Sequence, residues 1–263
     1  MRVALSQITS TGSPADNLTL VRRSVTAAAD AGASVVVLPE ATMARFGTPL
    51  APVAEPLDGP WATAVAAIAE EHGVLVVAGM FTPADDGRVF NTLLATGFGQ
   101  HVGYDKVHLF DAFGFTESRT VAPGSDLVTV TVDDVTFGLA TCYDIRFPGV
   151  FTGLADRGAS AVLLGAAWGA GPGKREQWEL LVRARALDST CWVAACGQAD
   201  PTESGLAPHA TAPSGIGYSM VAGPSGAVTA QLGAADDLLV TDLDLELVGT
   251  TRAAIPVLAN RRL

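Results

Sequence analysis

The chain has 263 residues, 49% of them hydrophobic and 16% charged, which excludes a disordered or fibrous protein and predicts one globular domain, 1–263, with a sizeable core. A formal net charge of −11 argues against a nucleic-acid partner, because phosphate recognition needs clustered Lys and Arg. No run approaches the ~18 apolar residues of a membrane span, and the start reads as neither a signal peptide nor an anchor, so no membrane partner and a cytoplasmic location are expected. Three cysteines cannot close a disulfide set and are expected as reduced thiols.

In chain order, short Val/Ile/Leu-rich runs alternate with segments of helical period, the pattern of a layered α/β protein. Strands are predicted at Arg2–Gln7, Ser34–Leu38, Val74–Phe81, Val89–Ala95, Leu127–Val132, Val135–Thr141, Ala159–Leu164, Cys191–Ala195, Tyr218–Ala222 and Leu239–Asp242. Helices are predicted at Asp16–Ala31, with Asp16 as its cap, at Pro60–His72, opened by proline, and from about Lys174 to Ser189. Val132–Asp133–Asp134–Val135 reads as a tight hairpin, so the sheet is expected to be mixed. No linker or internal repeat divides the chain.

Three segments share one layout, in which a β-rich run ends at once in a reactive side chain. Val35–Pro39 leads into Glu40, His101–Asp105 into Lys106, and Phe137–Thr141 into Cys142. Strand ends of one sheet gather at one rim, where α/β proteins build sites. Each residue alone also fits an ordinary role: a capping carboxylate, a solvated lysine, a small buried thiol.

As a set they carry a resemblance. Leu38–Pro39–Glu40, Tyr104–Asp105–Lys106–Val107–His108–Leu109–Phe110–Asp111 and Thr141–Cys142–Tyr143–Asp144–Ile145–Arg146–Phe147–Pro148 resemble the nitrilase or carbon–nitrogen hydrolase superfamily, in its order and with fitting separations. Phe115–Ser118, the Gln177–Ala186 helix and Gly217–Gly226 extend the likeness over nearly the whole chain. The resemblance implies a four-layer α-β-β-α sandwich with mixed sheets, no cofactor and no metal, a homodimer or higher homo-oligomer, and a catalytic triad at Glu40, Lys106 and Cys142. It also implies that Glu117 sits beside the triad, positioning substrate or moving protons. Leu245–Leu263 is then a candidate for crossing to a partner subunit.

The residue types suit acyl transfer. A thiol of pKa about 8.5 must lose its proton to attack, which a neighbouring carboxylate such as Glu40 can accept and later return to the leaving nitrogen. Lys106 and the Tyr143 backbone N–H supply charge and a donor to the tetrahedral oxyanion. By the resemblance Arg146 matches a position that holds a substrate carboxylate, which its fork suits; a structural salt bridge to Asp144 or another acid is the alternative.

Rival motifs fall short. The run from Gly169 to Lys174 lacks Walker spacing, continues with Arg175 instead of Ser/Thr, and misses the dinucleotide pattern, so it is expected as a flexible loop near the site. His72, His101, His108 and His209 show no paired metal spacing, although a Cys142–His108 pair stays open. Cys191 and Cys196 read as core.

The segments around Asp105–Asp111 and the Trp178–Glu179 helix most resemble the omega-amidase and deaminated-glutathione-amidase branch. The short Asp111–Glu117 loop and the glycine-rich Gly165–Lys174 stretch depart from it. A small-amide hydrolase is therefore expected. Carbamoyl amino acid hydrolase, nitrilase, acyltransferase and non-catalytic binding protein stand as alternatives.

Overall fold

A computed structural model of the chain describes residues 1–262. In chain order its first half runs β1 (Arg2–Gln7), α1 (Pro14–Asp30), β2 (Val35–Val37), α2 (Pro60–His72), β3 (Leu75–Pro83), β4 (Val89–Gly97) and β5 (Gln100–Asp105). Three two-residue strands follow, β6 (Asp111–Ala112), β7 (Phe115–Thr116) and β8 (Val121–Ala122). The second half runs β9 (Thr129–Val132), β10 (Val135–Thr141), α3 (Pro148–Asp156), β11 (Ala161–Ala166), α4 (Lys174–Ser189), β12 (Trp192–Gly197), β13 (Met220–Ala222), β14 (Val228–Gln231), β15 (Asp237–Asp242), α5 (Glu246–Ala254) and α6 (Val257–Asn260).

Two mixed sheets result. One has the order β15-β1-β2-β3-β4-β5, with β8 added against β4; the other has the order β14-β13-β12-β11-β10-β9. Each is built around three parallel strands, β1 to β3 or β10 to β12, flanked by antiparallel ones. Fully buried strands read as continuous apolar runs because both faces are covered. On one face of the first sheet, Val3, Val35, Val77 and Tyr104 meet Phe137, Leu163 and Trp192 of the second. On its other face Val36 and Val76 pack on Val25 of α1 and Val65 of α2. Likewise Val162 and Val193 pack on Leu154 of α3 and Val182 of α4. The order of layers is helix, sheet, sheet, helix.

The predicted hairpin is present. Val132 pairs with Val135, and Asp133 and Asp134 take φ of 46° and 65°, as a type I′ turn requires. Helix α1 starts two residues earlier than its apolar period predicts, because Pro14 fits its first turn and Ser13, not Asp16, is the cap: the Ser13 hydroxyl accepts from the Asp16 N–H. Helix α3 and strand β14, nine and four residues long, are additions to the predicted elements. The Leu245–Leu263 piece forms α5 and α6, and Arg261 pairs with Asp156 at 2.8 Å; its last residue, Leu263, lies outside the described residues.

Candidate active site

The parallel strands of both sheets end at one rim. Glu40 follows β2, Lys106 follows β5, Cys142 follows β10, and Ala167 follows β11. The Glu40 backbone is wedged between the two sheets at glycines. A Cβ on Gly79 of β3 would lie 2.4 Å from the Ala41 nitrogen, and one on Gly165 of β11 would lie 2.9 Å from the Glu40 nitrogen. Glycine is what lets the sheets close on this carboxylate.

Glu40 is 1% exposed, Lys106 2% and Glu117 2%, so this is a buried charge cluster. The Lys106 ammonium donates to Glu40 Oε1 at 2.9 Å and to Glu117 Oε1 and Oε2 at 3.1 and 2.9 Å. Asn91 Nδ2 donates to Glu40 Oε1 at 2.8 Å and to Glu117 Oε1 at 3.0 Å. The Ala167 N–H holds Glu40 Oε2 at 2.7 Å, and the Phe110 N–H holds Glu117 Oε2 at 2.6 Å. Burial alone would drive the Lys106 ammonium toward neutrality, but Glu117 and then Glu40 outweigh it and hold the pKa well above the ordinary lysine value. Its two carboxylate partners thus favour the charged ammonium.

Cys142 stands at the first position of a 3-10 turn, Cys142–Arg146, with φ of 46°. A non-glycine residue held in that region is strained, a feature that clusters at functional sites. Burial first, and the negative charge of Glu40 second, push its thiol pKa well up, while Lys106 pulls it down. Both leading causes favour the neutral thiol of Cys142. Tyr143 is the second residue of the turn, so its N–H precedes any intrahelical acceptor and is left for another partner.

Asp144 anchors this turn. Fully buried, it accepts from the Thr141 N–H at 3.0 Å, the Tyr104 hydroxyl at 2.7 Å and the His108 N–H at 3.0 Å, with His108 Nδ1 at 2.9 Å. It thus ties the cysteine turn to the segment that carries Lys106. His108, stacked on Phe147 at 3.6 Å, serves that tie and does not line the cavity before Cys142, which removes the Cys142–His108 pair. Nor does Arg146 bridge to Asp144. Its guanidinium donates to Gln177 Oε1 at 2.7 Å and lies 5.2 Å from the Trp168 ring centroid.

The structure brings Glu40, Lys106, Glu117, Cys142, Tyr143 and Arg146 to one cavity, walled by Phe46, Phe110, Phe115 and Trp168. The run from Gly169 to Lys174 borders it through Gly169 and Lys174. Asn91 and Ala167 join the site without having been singled out by sequence, and Asp144 joins it in a role other than the Arg146 salt bridge weighed there. Asn91 sits inside a strand and Ala167 acts through its backbone, so neither carries a side-chain signal; Asp144 stands within the cysteine motif, where only its place beside Cys142 could have pointed to it. Among the described residues no group of three His, Cys, Asp or Glu side chains is placed to hold a metal ion. No helix among them is long and apolar enough to cross a membrane.

The sequence profile described as Carbon-nitrogen hydrolase matches residues 2–253. The chain belongs to the carbon–nitrogen hydrolase family. It is 55% identical over 267 aligned residues to "Hydrolase Rv0480c" of Mycobacterium tuberculosis, covering 99% of this chain and 95% of that one. It is 33% identical to the deaminated glutathione amidase of Escherichia coli O157:H7, covering 100% and 97%. The crystal structure of Saccharomyces cerevisiae Nit3, a member of branch 10 of the nitrilase superfamily, superposes with a TM-score of 0.86 at 25% identity, covering 100% of this chain and 97% of that one. The expected nitrilase-type sandwich is thereby borne out, and this carbon–nitrogen hydrolase is an enzyme acting on carbon–nitrogen bonds.

Proposed function

We propose that the enzyme hydrolyses a small linear amide to its acid and ammonia through a thioester on Cys142. One observation supports this above others: a thiol, a carboxylate and an ammonium converge in one buried pocket, with the carboxylate fixed by the Ala167 N–H beside the thiol. In the proposed sequence Glu40 takes the Cys142 proton as the sulfur attacks the carbonyl carbon. The Lys106 ammonium and the Tyr143 N–H stabilise the oxyanion, a duty in which one donor is worth about 10²–10³-fold. As the oxyanion collapses, the carbon–nitrogen bond breaks, Glu40 returns its proton to the nitrogen, and ammonia leaves. Water then adds to the thioester with Glu40 as base, and the second collapse frees the acid and regenerates the thiol. Glu117, bonded to Lys106 by both oxygens, keeps that ammonium aimed.

Arg146 is the substrate-binding candidate, since its fork reaches the cavity and, among the described residues, no acid lies within 4.0 Å of it. We take the enzyme to be cytoplasmic and at least dimeric. Its three unpaired buried thiols suit a reducing compartment, and Leu180 and Leu187 of α4, 63% and 47% exposed, suit a subunit contact.

Ammonia release from a panel of small amides, carbamoyl amino acids and nitriles tests the reading. Turnover is expected for the amides and to be abolished by E40Q. Release from none of them by folded enzyme, or from nitriles alone, overturns it.

A further inference from the structure

The chain contains only two lysines, Lys106 and Lys174; the other 14 of its 16 cationic side chains are arginines (16 − 2 = 14). Both lysines line the same cavity, which is bordered by 14 of the 263 residues. Lys106 is accounted for by its carboxylates. Lys174 is not. Its ammonium rests 3.9 Å from the centroid of the Phe113 ring, 5.6 Å from Phe110 and 5.9 Å from Trp168, the ring that Arg146 also covers. Among the described residues no carboxylate lies within 4.0 Å of Lys174 or Arg146.

This placement is electrostatically unfavourable in three ways. Lys174 is the first residue of the 16-residue α4, the end of a helix that disfavours cations. Its neighbour Arg175 avoids the problem by pairing with Glu179 at 2.8 Å, outside the cavity lining. Burial, and then the charge of Arg146, lower the Lys174 pKa below the usual lysine value. Like charges gathered on low-dielectric aromatic walls without a counter-ion are stabilised by an anion that enters between them.

The two ends of the cavity differ in sign. At the inner end Glu40 and Glu117 against Lys106 leave one net negative charge (+1 − 2 = −1). At the mouth Arg146 and Lys174 add two positive ones (1 + 1 = +2). A molecule with an acid group at one end and a neutral carbonyl at the other is oriented by that field, its carbonyl toward Lys106.

We propose that Lys174 is a specificity-determining residue which, jointly with Arg146, holds the free acid group of the amide substrate. Arg146 supplies the planar fork and Lys174 a point charge on a flexible stem that leaves the aromatic rings for the carboxylate. The assignment deepens the amidase reading and rests on it for the position of the scissile bond.

The test uses succinamate, which carries the acid group, and butyramide, which does not. In the full-length C142A variant, which lacks the proposed nucleophile, an amine-acetylating reagent reports the exposure of Lys174, with the N-terminal amine as internal reference. Peptide mapping is expected to show succinamate slowing acetylation of Lys174 at least about fivefold and butyramide leaving it unslowed. In enzyme with Cys142 intact, K174Q is expected to lower kcat/KM for succinamate by about 10–100-fold, the worth of one charged hydrogen bond, and for butyramide by less than threefold; K174R is expected to restore most of the loss. Equal acetylation with and without succinamate, or equal losses on both amides, overturns the proposal. Failure of wild type to hydrolyse either amide sinks the amidase reading instead, while protection of Lys174 still reports the acid-group site.

Discussion

Glu117 binds Lys106 with both carboxylate oxygens, at 3.1 and 2.9 Å, whereas Glu40 binds it with one and keeps the other on the Ala167 N–H. Two buried acids thus share one buried cation, and the trio carries one net negative charge. Substituting Glu117→Gln leaves a neutral Lys106–Glu40 pair but replaces one acceptor oxygen with an NH2 facing the Phe110 N–H or the ammonium, so a stability loss of about 2–4 kcal/mol is expected. Without the bidentate hold on the ammonium, kcat is expected to fall about 10²-fold. Thermal melting and steady-state ammonia release check both halves; kcat within threefold of wild type would remove Glu117 from the site.

Lys106→Met makes the opposite change. Two buried carboxylates then face each other without a cation, and breaking such a cluster costs about 3–5 kcal/mol. Urea unfolding is expected to register that loss, with no measurable turnover. Adding Glu117→Gln to Lys106→Met removes one orphaned charge and is expected to recover much of the stability while activity stays absent.

Asp144 predicts a positioning defect. It is an acceptor only, serving Thr141, Tyr104 and the His108 backbone at once. An amide has a single oxygen, so D144N leaves buried donors unpaired and is expected to cost about 2–4 kcal/mol. Because the same side chain ties the Cys142 turn to the Lys106 segment, kcat is expected to fall more than KM rises. Steady-state kinetics on folded D144N separates this from a purely structural role, which would leave kcat unchanged at temperatures where the variant is folded.

Alkaline pH supplies a linkage prediction. Burial raises the thiol pKa of Cys142, Cys191 and Cys196 in the folded state. Above the unfolded thiol value of about 8.5 the unfolded chain loses these protons while the folded chain keeps them, so unfolding releases protons and stability falls as pH rises. The stabilisation is whole below that pH and declines above it, by at most about 1.4 kcal/mol per pH unit for each thiol. Urea midpoints between pH 8 and 10 are expected to drop, and C196A to flatten the slope. A midpoint that rises across that range contradicts the burial of these thiols.

Much of the fold and of the site is legible in the amino-acid sequence. Strand β10 and helix α2 match their predicted bounds to the residue, because apolar period, Pro60 and the Asp133–Asp134 turn mark their ends. The reactive trio is legible because each member directly follows a β-rich run, which brings strand ends of both sheets to one rim. What escapes a sequence reading depends on contacts remote along the chain. Asn91 lies 51 residues from Glu40 and joins it only when β4 closes on β3. The choice between a carboxylate fork and a salt bridge for Arg146 needs the position of Asp144, which Tyr104 and His108 claim. Asp16 reads as a cap because an acid precedes the apolar period, yet Ser13 before Pro14 has the required extended backbone.

Whether Cys142 is the nucleophile is decided by ammonia release from C142A, with circular dichroism showing it folded. The mechanism predicts release at least about 10⁴-fold below wild type, since no other group in the pocket can form the thioester. Release within tenfold of wild type would contradict it.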